Sequence, residues 1–387
     1  MYIHFVALLL TLAGCGSKTT GQSAGTPPVI QPKTDQLVWD QSTRRKVSTG
    51  AGIRYSGYAR MVQLRDTSLL AVYEADGTVV AVKSQDSGNS WSKPVVVVAW
   101  QNGTNMTVPD VLELADGSIL VCYNPRPYQI DPARRFGIRT KKSRDGGLTW
   151  HDERLLYEAG YEFENGCWEP SAVQLLGGEI QLFFANEGIY TQSNEQNISM
   201  LRSADGGLTW SKNPQIISFR AGSRDGMPVP LLLSSGRNLV VAIEDNGFRN
   251  FKPYIIHSSL AQNWAGPVLN NSPDRWSALA SSLPEPIYAG APYLRQLPTG
   301  QTLLSYQSTE GRVNKIDYAE MKVAVGDATA RNFGGTGSPF QLPASKSGLW
   351  NSLCVLADGT VVALTSTNAY SSDDSVEVWM IKGKLAD

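Results

Sequence analysis

The sequence predicts an all-β chain, a six-bladed β-propeller of four-stranded antiparallel blades. Three observations predict it. An apolar segment of period 2, a short turn and a second apolar segment recur six times along the chain. The Leu before each turn is Leu64, Leu114, Leu175, Leu233, Leu297 and Leu356, a spacing of about 60 residues, enough for four short strands per unit. Between the hairpins an octapeptide of the form Ser-x-Asp-x-Gly-x-Thr/Ser-Trp returns, as SQDSGNSW at 84–91, SRDGGLTW at 143–150 and SADGGLTW at 203–210. No long span carries helical periodicity.

The elements follow in order. The opening run IHFVALLLTLAGC is too short for a membrane helix and reads as a signal peptide, residues 1–15. Its end, Leu12-Ala13-Gly14-Cys15, resembles the bacterial lipobox, which implies lipidation of Cys15 and a membrane anchor. Residues 16–34, rich in Gly, Ser, Thr and Pro, read as a flexible tether. Residues 35–387 then form one propeller domain. The expectation is an exported bacterial lipoprotein, periplasmic or outer-membrane anchored, and a monomer.

The six hairpins read ARMVQLRDTSLLAVYE, PDVLELADGSILVCYN, PSAVQLLGGEIQLFFANE, PVPLLLSSGRNLVVAIED, PYLRQLPTGQTLLSYQ and NSLCVLADGTVVALTS. Asp-Gly-type turns join their strands. The octapeptide comes later in each unit, with a worn fourth copy, HSSLAQNW, ending at Trp264. Its Asp and hydroxyls suit hydrogen bonds to their own turn, its Gly a positive φ, and its Trp packing between blades. It is expected to be a folding device at the periphery and not the site. The last blade is closed by SVEVWMIKGKL near the C-terminus or by LVWD at 37–40.

Composition narrows the chemistry. With 34 Lys+Arg against 35 Asp+Glu the net charge is −1, which gives no basic footprint for nucleic acid. Beyond Cys15, the cysteines Cys122, Cys167 and Cys354 are odd in number and widely spaced, so they are expected as buried hydrophobes and not as a disulfide framework or zinc site. After the signal peptide only His151 and His257 remain, too few for a His-built metal site, and His151 is expected on a surface turn. No metal or cofactor is implied.

Topology then points to the site. In a propeller the first strand of each blade lines the central channel. The start of strand one and the end of strand two therefore ring one mouth. Strand-one starts supply Arg60, Asp110, Glu169 with Trp168, Arg224 with Asp225, Tyr293, and Trp350 with Asn351. Strand-two ends supply Glu74, Asn124 with Arg126, Asn186 with Glu187, Glu244 with Asp245, and Gln307. Such convergence of charged and aromatic side chains marks a binding funnel. Glu169 and Glu244 belong to neighbouring blades, and two facing carboxylates are the minimum equipment for glycoside hydrolysis. Asp245 is expected to raise the pKa of Glu244 by like-charge repulsion. Arg224 and Asp225 are expected to position substrate hydroxyls, and Arg60, Asp110 and Arg126 to shape the far side of the pocket. Trp168, Trp350 and Tyr293 offer stacking faces for sugars.

With these residues in hand, the chain resembles the sialidase-like Asp-box propellers, and more narrowly the exo-arabinanases of glycoside hydrolase family 93. The resemblance rests on the three octapeptides and on WEP at 168–170, RDGMPVP at 224–230, AIEDN at 242–246 and LWNSL at 349–353. It implies an exo-acting, retaining hydrolase that releases arabinobiose from α-1,5-linked arabinan. The family's two glutamates match Glu169 and Glu244, with Glu169 the expected nucleophile and Glu244 the acid/base, or the reverse. The family's assisting ring tyrosine falls on Tyr293, with Tyr318 as second choice. A sialidase is the alternative enzyme. Sialidases hold a carboxylate with three Arg, for which Arg60, Arg126 and Arg224 are the candidates. Two features depart from that pattern: Trp350-Asn351 stands where the sialidase Tyr nucleophile belongs, and Asn246 where an Arg is expected. A non-catalytic glycan-binding propeller is the third reading.

Overall fold

Each hairpin turn seen in the sequence closes through the same hydrogen bond. The N–H of its marker Leu reaches across the turn, as in Leu64 to the Ser68 carbonyl, Leu175 to Glu179 and Leu356 to Thr360, all at 2.8 Å. The position needing positive φ is a Gly in five copies, for example Gly117 at 84° and Gly359 at 81°. In the first copy Thr67 occupies it, at φ 68°.

The computed structural model describes residues 35–386 except 248. The signal peptide, Cys15 and the tether lie outside the described residues. Strand β1 (Leu37–Lys46) comes first. Blade 1 is β2 (Ser56–Gln63), β3 (Leu69–Ala75), β4 (Thr78–Ser84) and β5 (Val95–Val98). Blade 2 is β6 (Thr104–Glu113), β7 (Ile119–Pro127), β8 (Gly137–Ser143) and β9 (His151–Glu158). Blade 3 is β10 (Cys167–Gln174), β11 (Ile180–Asn186), β12 (Asn197–Ser203) and β13 (Gln215–Ser218). Blade 4 is β14 (Asp225–Leu232), β15 (Asn238–Asp245), β16 (Lys252–Ser259) and β17 (Arg275–Ser277). Blade 5 is β18 (Ala289–Gln296), β19 (Thr302–Ser308), β20 (Glu320–Gly326) and β21 (Gly334–Gly337). Blade 6 is β22 (Leu349–Val355), β23 (Val361–Thr367) and β24 (Glu377–Leu385), with β1 as its outermost strand.

The fold is thus a six-bladed propeller of four-stranded antiparallel sheets. Both segments named for closing the last blade take part. β24 pairs with β23, and β1 pairs with β24 from Leu37 opposite Leu385. The first and last parts of the chain thereby share one sheet, which leaves no open seam in the ring.

The cores lie between blades. Leu70 and Val72 of blade 1 pack with Val111, Ile119 and Val121 of blade 2. Trp150, at the end of the second octapeptide, seals that same interface, and Trp210 packs likewise against Leu114, Leu120 and Ile180. The octapeptides are the turns between third and fourth strands. In SRDGGLTW the Asp145 carboxylate accepts the N–H groups of Leu148 (3.0 Å) and Thr149 (2.9 Å) and the Thr149 hydroxyl (2.5 Å). The Gly147 N–H donates to Ser143 Oγ at 2.9 Å. Those hydrogen bonds to the charged form hold the equivalent Asp86 and Asp205 carboxyls down to about 2. In the worn copy the Trp264 N–H donates to Ser258 Oγ at 2.9 Å and its indole N–H to Gln181 at 3.1 Å. Cys122, Cys167 and Cys354 are free and buried, and His151 is exposed beside Thr149.

Candidate active site

The innermost strands start about three residues earlier than the hairpin repeats suggest, and the extra residues make the site. Each first strand carries a β-bulge at the same place, as between Gly57 and Arg60 in β2 or Gly226 and Val229 in β14. One residue of each bulge has positive φ: Tyr58 (54°), Val108 (47°), Glu169 (47°), Met227 (49°), Ala291 (49°) and Trp350 (55°). None is Gly, and Val108 is β-branched, so each costs on the order of 1–3 kcal/mol of backbone strain. Six-fold repetition of a strained conformation is the mark of an imposed geometry. It turns these side chains to the axis, where Tyr58, Val108, Met227, Ala291 and Trp350 form one cluster. Tyr58 and Trp350 stack there at 4.4 Å and 17°. Five members of this floor are apolar or aromatic, and the sixth is Glu169.

Glu169 accepts a hydrogen bond of 2.7 Å from Arg126. Arg126 is itself aimed by Asn124, whose Oδ1 receives its Nε–H at 2.7 Å, and it lies over the Trp168 ring at 4.9 Å. Asn124 is fixed in turn by donating to the carbonyls of Gly137 (2.8 Å) and Cys167 (3.0 Å), which links blades 2 and 3. Burial raises the Glu169 pKa, and the guanidinium of Arg126 opposes that rise.

Glu244 comes from the end of β15. Its carboxylate accepts the Ala291 backbone N–H at 2.9 Å. Two glycines make room for it. A Cβ at Gly226 would stand 3.0 Å from Glu244 Oε1, and one at Gly290 would stand 2.7 Å from Oε2 and 2.6 Å from the Tyr288 hydroxyl. Burial pushes the Glu244 pKa up to about 7, and the negative charge of Glu169 adds to the rise. The two glutamates are therefore electrostatically coupled over one floor.

Around them stand further polar groups. Arg224 is in close contact with Glu187 and donates to Gln196 at 2.8 Å. Burial pushes Glu187 up to about 7 against the pull of Arg224. Glu74 accepts the Thr107 hydroxyl and is raised by burial. Tyr55, Tyr58, Glu74, Thr107 and Arg126 line a cavity of about 430 Å³, which adjoins Glu169 through the Arg126 ion pair.

Several residues assigned to the funnel from sequence lie elsewhere. Arg60, Asp110 and Tyr293 sit two residues further down their strands, beneath the floor, and are all buried. Arg60 donates to the carbonyls of Ala59 (2.9 Å), Trp350 (3.3 Å) and Asn351 (3.3 Å). Tyr293 contacts Asp110 at 3.4 Å and Arg295 at 2.5 Å, and Asp110 also accepts from Ser171 at 2.5 Å. Together they plug the channel, leaving a cavity of about 10 Å³ below Glu169, room for about one water. Asn351 is buried and donates to the Gly348 carbonyl. Trp168 is a buried wall behind Arg126 that packs on Phe136 and Phe163. Tyr318 ends a short 3₁₀ turn, its carbonyl taken by Arg312. Asp225 and Asp245 turn away from the funnel into a buried cluster with Arg220 and Arg275. The expectation that Asp245 raises Glu244 is thereby corrected. Adjacent residues of a strand face opposite sides, and the repelling charge is Glu169.

Three tyrosines escaped the sequence reading: Tyr55, Tyr58 and Tyr288. Tyr288 receives a hydrogen bond of 2.8 Å from Gln307 and lies beside Glu244. A signal was present. Tyr55-Ser56-Gly57, Arg224-Asp225-Gly226 and Tyr288-Ala289-Gly290 repeat a large polar residue two before a Gly at the start of a first strand. Among the described residues no cluster of His, Cys, Asp and Glu is arranged to hold a metal.

Known structures share this architecture. An α-L-arabinanase from Penicillium chrysogenum, solved with arabinobiose, superposes with a TM-score of 0.65 at 18% identity, covering 90% of this chain and 97% of that one. The NanB sialidase from Streptococcus pneumoniae superposes at 0.58 with 11% identity, covering 89% and 71%. The fold is that of the sialidase-like six-bladed propellers. In sequence, a curated sialidase from Micromonospora viridifaciens is 30% identical over 124 residues, which is 28% of this chain and 18% of that protein. The chain thus aligns with under a fifth of that relative's length. No family model matches the chain.

Proposed function

We propose that this propeller is an exo-acting glycoside hydrolase that cleaves arabinan-type oligosaccharides with retention. The observation that carries the reading is the pair of differently held glutamates over one floor. Glu169 is hydrogen-bonded to Arg126, an arrangement suited to an ionised nucleophile. Glu244 has no ion pair among the described residues, accepts from a backbone N–H and has its pKa raised to about 7, which suits a proton donor near neutrality. In the mechanism Glu244 protonates the leaving glycosidic oxygen while Glu169 attacks the anomeric carbon. Glu244 then takes a proton from the water that releases the glycosyl group from Glu169. The Tyr58–Trp350 platform supplies an apolar surface for a sugar face. Tyr288, beside Glu244, is placed to donate to a sugar or ring oxygen. The solved arabinanase with bound arabinobiose supports the choice of substrate.

The arginines favour a neutral sugar over sialic acid. A carboxylate clamp needs guanidinium groups with free donors facing the ligand. Arg126 is engaged by Glu169 and Asn124, Arg224 by Glu187 and Gln196, and Arg60 by backbone carbonyls under the floor. The deciding experiment is incubation of residues 16–387 with linear α-1,5-arabinan and with sialyl-lactose, followed by chromatography. Arabinobiose release, abolished in Glu169→Gln and Glu244→Gln, is the expected result. Free sialic acid would overturn the substrate assignment, and binding without cleavage would leave a glycan-binding propeller. We further propose anchoring through Cys15, supported by Leu12-Ala13-Gly14-Cys15. Metabolic labelling with a palmitate analogue that is lost in Cys15→Ala tests it.

A further inference from the structure

Blade 4 and the loop before it hold four buried charges that the mechanism above does not use. Asp225 and Asp245 face each other directly across the β14–β15 ladder. Two like charges in that relation repel and open a strand pair. Here they are bridged. Arg275 donates to Asp225 at 2.8 and 2.9 Å and to Asp245, and also to Ser218 at 3.1 Å. Arg220 donates to Asp225 at 3.0 Å and lies 2.8 Å from Asp245. It also donates to the backbone carbonyl of Arg224 at 3.0 Å. All four side chains are more than nine-tenths buried.

The location is selective. The corresponding cross-strand pairs are Ser56 with Ala75 in blade 1, Cys167 with Asn186 in blade 3 and Ala289 with Ser308 in blade 5, none of them charged. The neighbours of the two acids are Arg224 and Glu244, whose side chains face the funnel. The next rung of the ladder is Gly226 opposite Glu244. A buried ion network is weak evidence for stability, because desolvation offsets much of its attraction. Its value lies in fixing one geometry.

We infer that Arg220 and Arg275 are positioning residues, which bridge Asp225 and Asp245 so that the strand ends carrying Arg224 and Glu244 are held at the funnel. The inference deepens the glycosidase reading and rests on it for its kinetic arm. Without Arg275 only Arg220 remains between the two facing carboxylates, one positive charge against two negative, so the ladder loosens at its last rung and Glu244 shifts off the Ala291 N–H. Lys is a poor substitute here, since a single ammonium nitrogen does not reproduce the contact that Arg275 makes through both terminal nitrogens to Asp225 while also reaching Asp245.

The test compares wild type, Arg275→Met and Arg275→Lys in full-length mature protein. Hydrolysis of linear arabino-oligosaccharide gives kcat and KM separately. The amide resonance of Ala291 reports the hydrogen bond to Glu244 without any activity. Both variants are expected to lose at least tenfold in kcat, with KM changed less than threefold, and to shift the Ala291 amide upfield while amides of blade 1 stay in place. Arg275→Lys retains the charge and provides a folded variant if Arg275→Met does not fold. Full kcat in Arg275→Lys, or an unmoved Ala291 amide in a folded variant, overturns the inference. If wild type cleaves no arabino-oligosaccharide, the glycosidase reading falls, and the Ala291 amide alone decides whether the cluster positions Glu244.

Discussion

Replacing Glu244 by Gln should stabilise the protein at alkaline pH and scarcely affect it in acid. Burial raises this carboxyl from 4.5 to about 7. The folded state therefore keeps a proton that the unfolded chain gives up. Stability conferred by that proton is fully present below the unfolded pKa and is lost as pH rises through the folded one. A shift of that size corresponds to about 3 kcal/mol well above neutrality and to less than about 1 kcal/mol near pH 5. The carboxyl retains some contact with funnel water, so we take about 2 kcal/mol as the gap between about pH 5 and about pH 8. Gln keeps the oxygen that accepts the Ala291 N–H and removes the charge. For a chain of this length the gap amounts to about 3 °C in Tm. Melting curves of wild type and Glu244→Gln at both pH values measure it. The variant should be inactive throughout and gain in relative Tm as pH rises. An equal Tm difference at both pH values would refute the reasoning, since it would mean that Glu244 ionises as freely folded as unfolded.

Three further predictions follow from the same geometry. The wild-type kcat/KM should fall above about pH 7, about tenfold per pH unit, because the proposed mechanism needs Glu244 protonated as the acid; a flat alkaline limb would remove it from that role. Gly290→Ala should lower kcat by about 100-fold, because the new methyl would stand 2.7 Å from Glu244 Oε2, and its Tm should fall by only a few degrees; unchanged kinetics would show that Glu244 can act from another position. Thr67→Gly should raise the urea midpoint slightly, since relief of a left-handed Thr at φ 68°, worth about 1–2 kcal/mol, exceeds the about 0.5–1 kcal/mol of added unfolded-state entropy; a lower midpoint would contradict that balance.

The repeats were sufficient to predict the architecture, because a propeller blade is built from local pairings. Six Leu-turn hairpins, each closed by the same N–H to carbonyl bond, specify strand one and strand two wherever they occur. The octapeptides place the third turn through hydrogen bonds within eight residues, as Asp145 does with Leu148 and Thr149. Antiparallel topology then identified which strand ends share a mouth, and this was enough to place Glu169 and Glu244 there as a candidate pair.

The tertiary structure decided which polar residues of that mouth face the open funnel. The sequence shows that Arg60, Asp110 and Tyr293 belong to first strands, but not that a bulge with positive φ at Tyr58, Val108 and Ala291 lays a floor above them. Asp225 and Asp245 look like funnel acids in a linear string. Only the pleat, together with Arg220 from the preceding loop and Arg275 from the outermost strand, turns them into a buried clamp. Likewise Arg126 is one basic residue among many until blade 3 delivers Glu169 to it at 2.7 Å. Hairpins and turns depend on neighbours in the chain and are written in its order. Burial, charge pairing and the raised carboxyl of Glu244 depend on groups from other blades, which come together only when the ring closes.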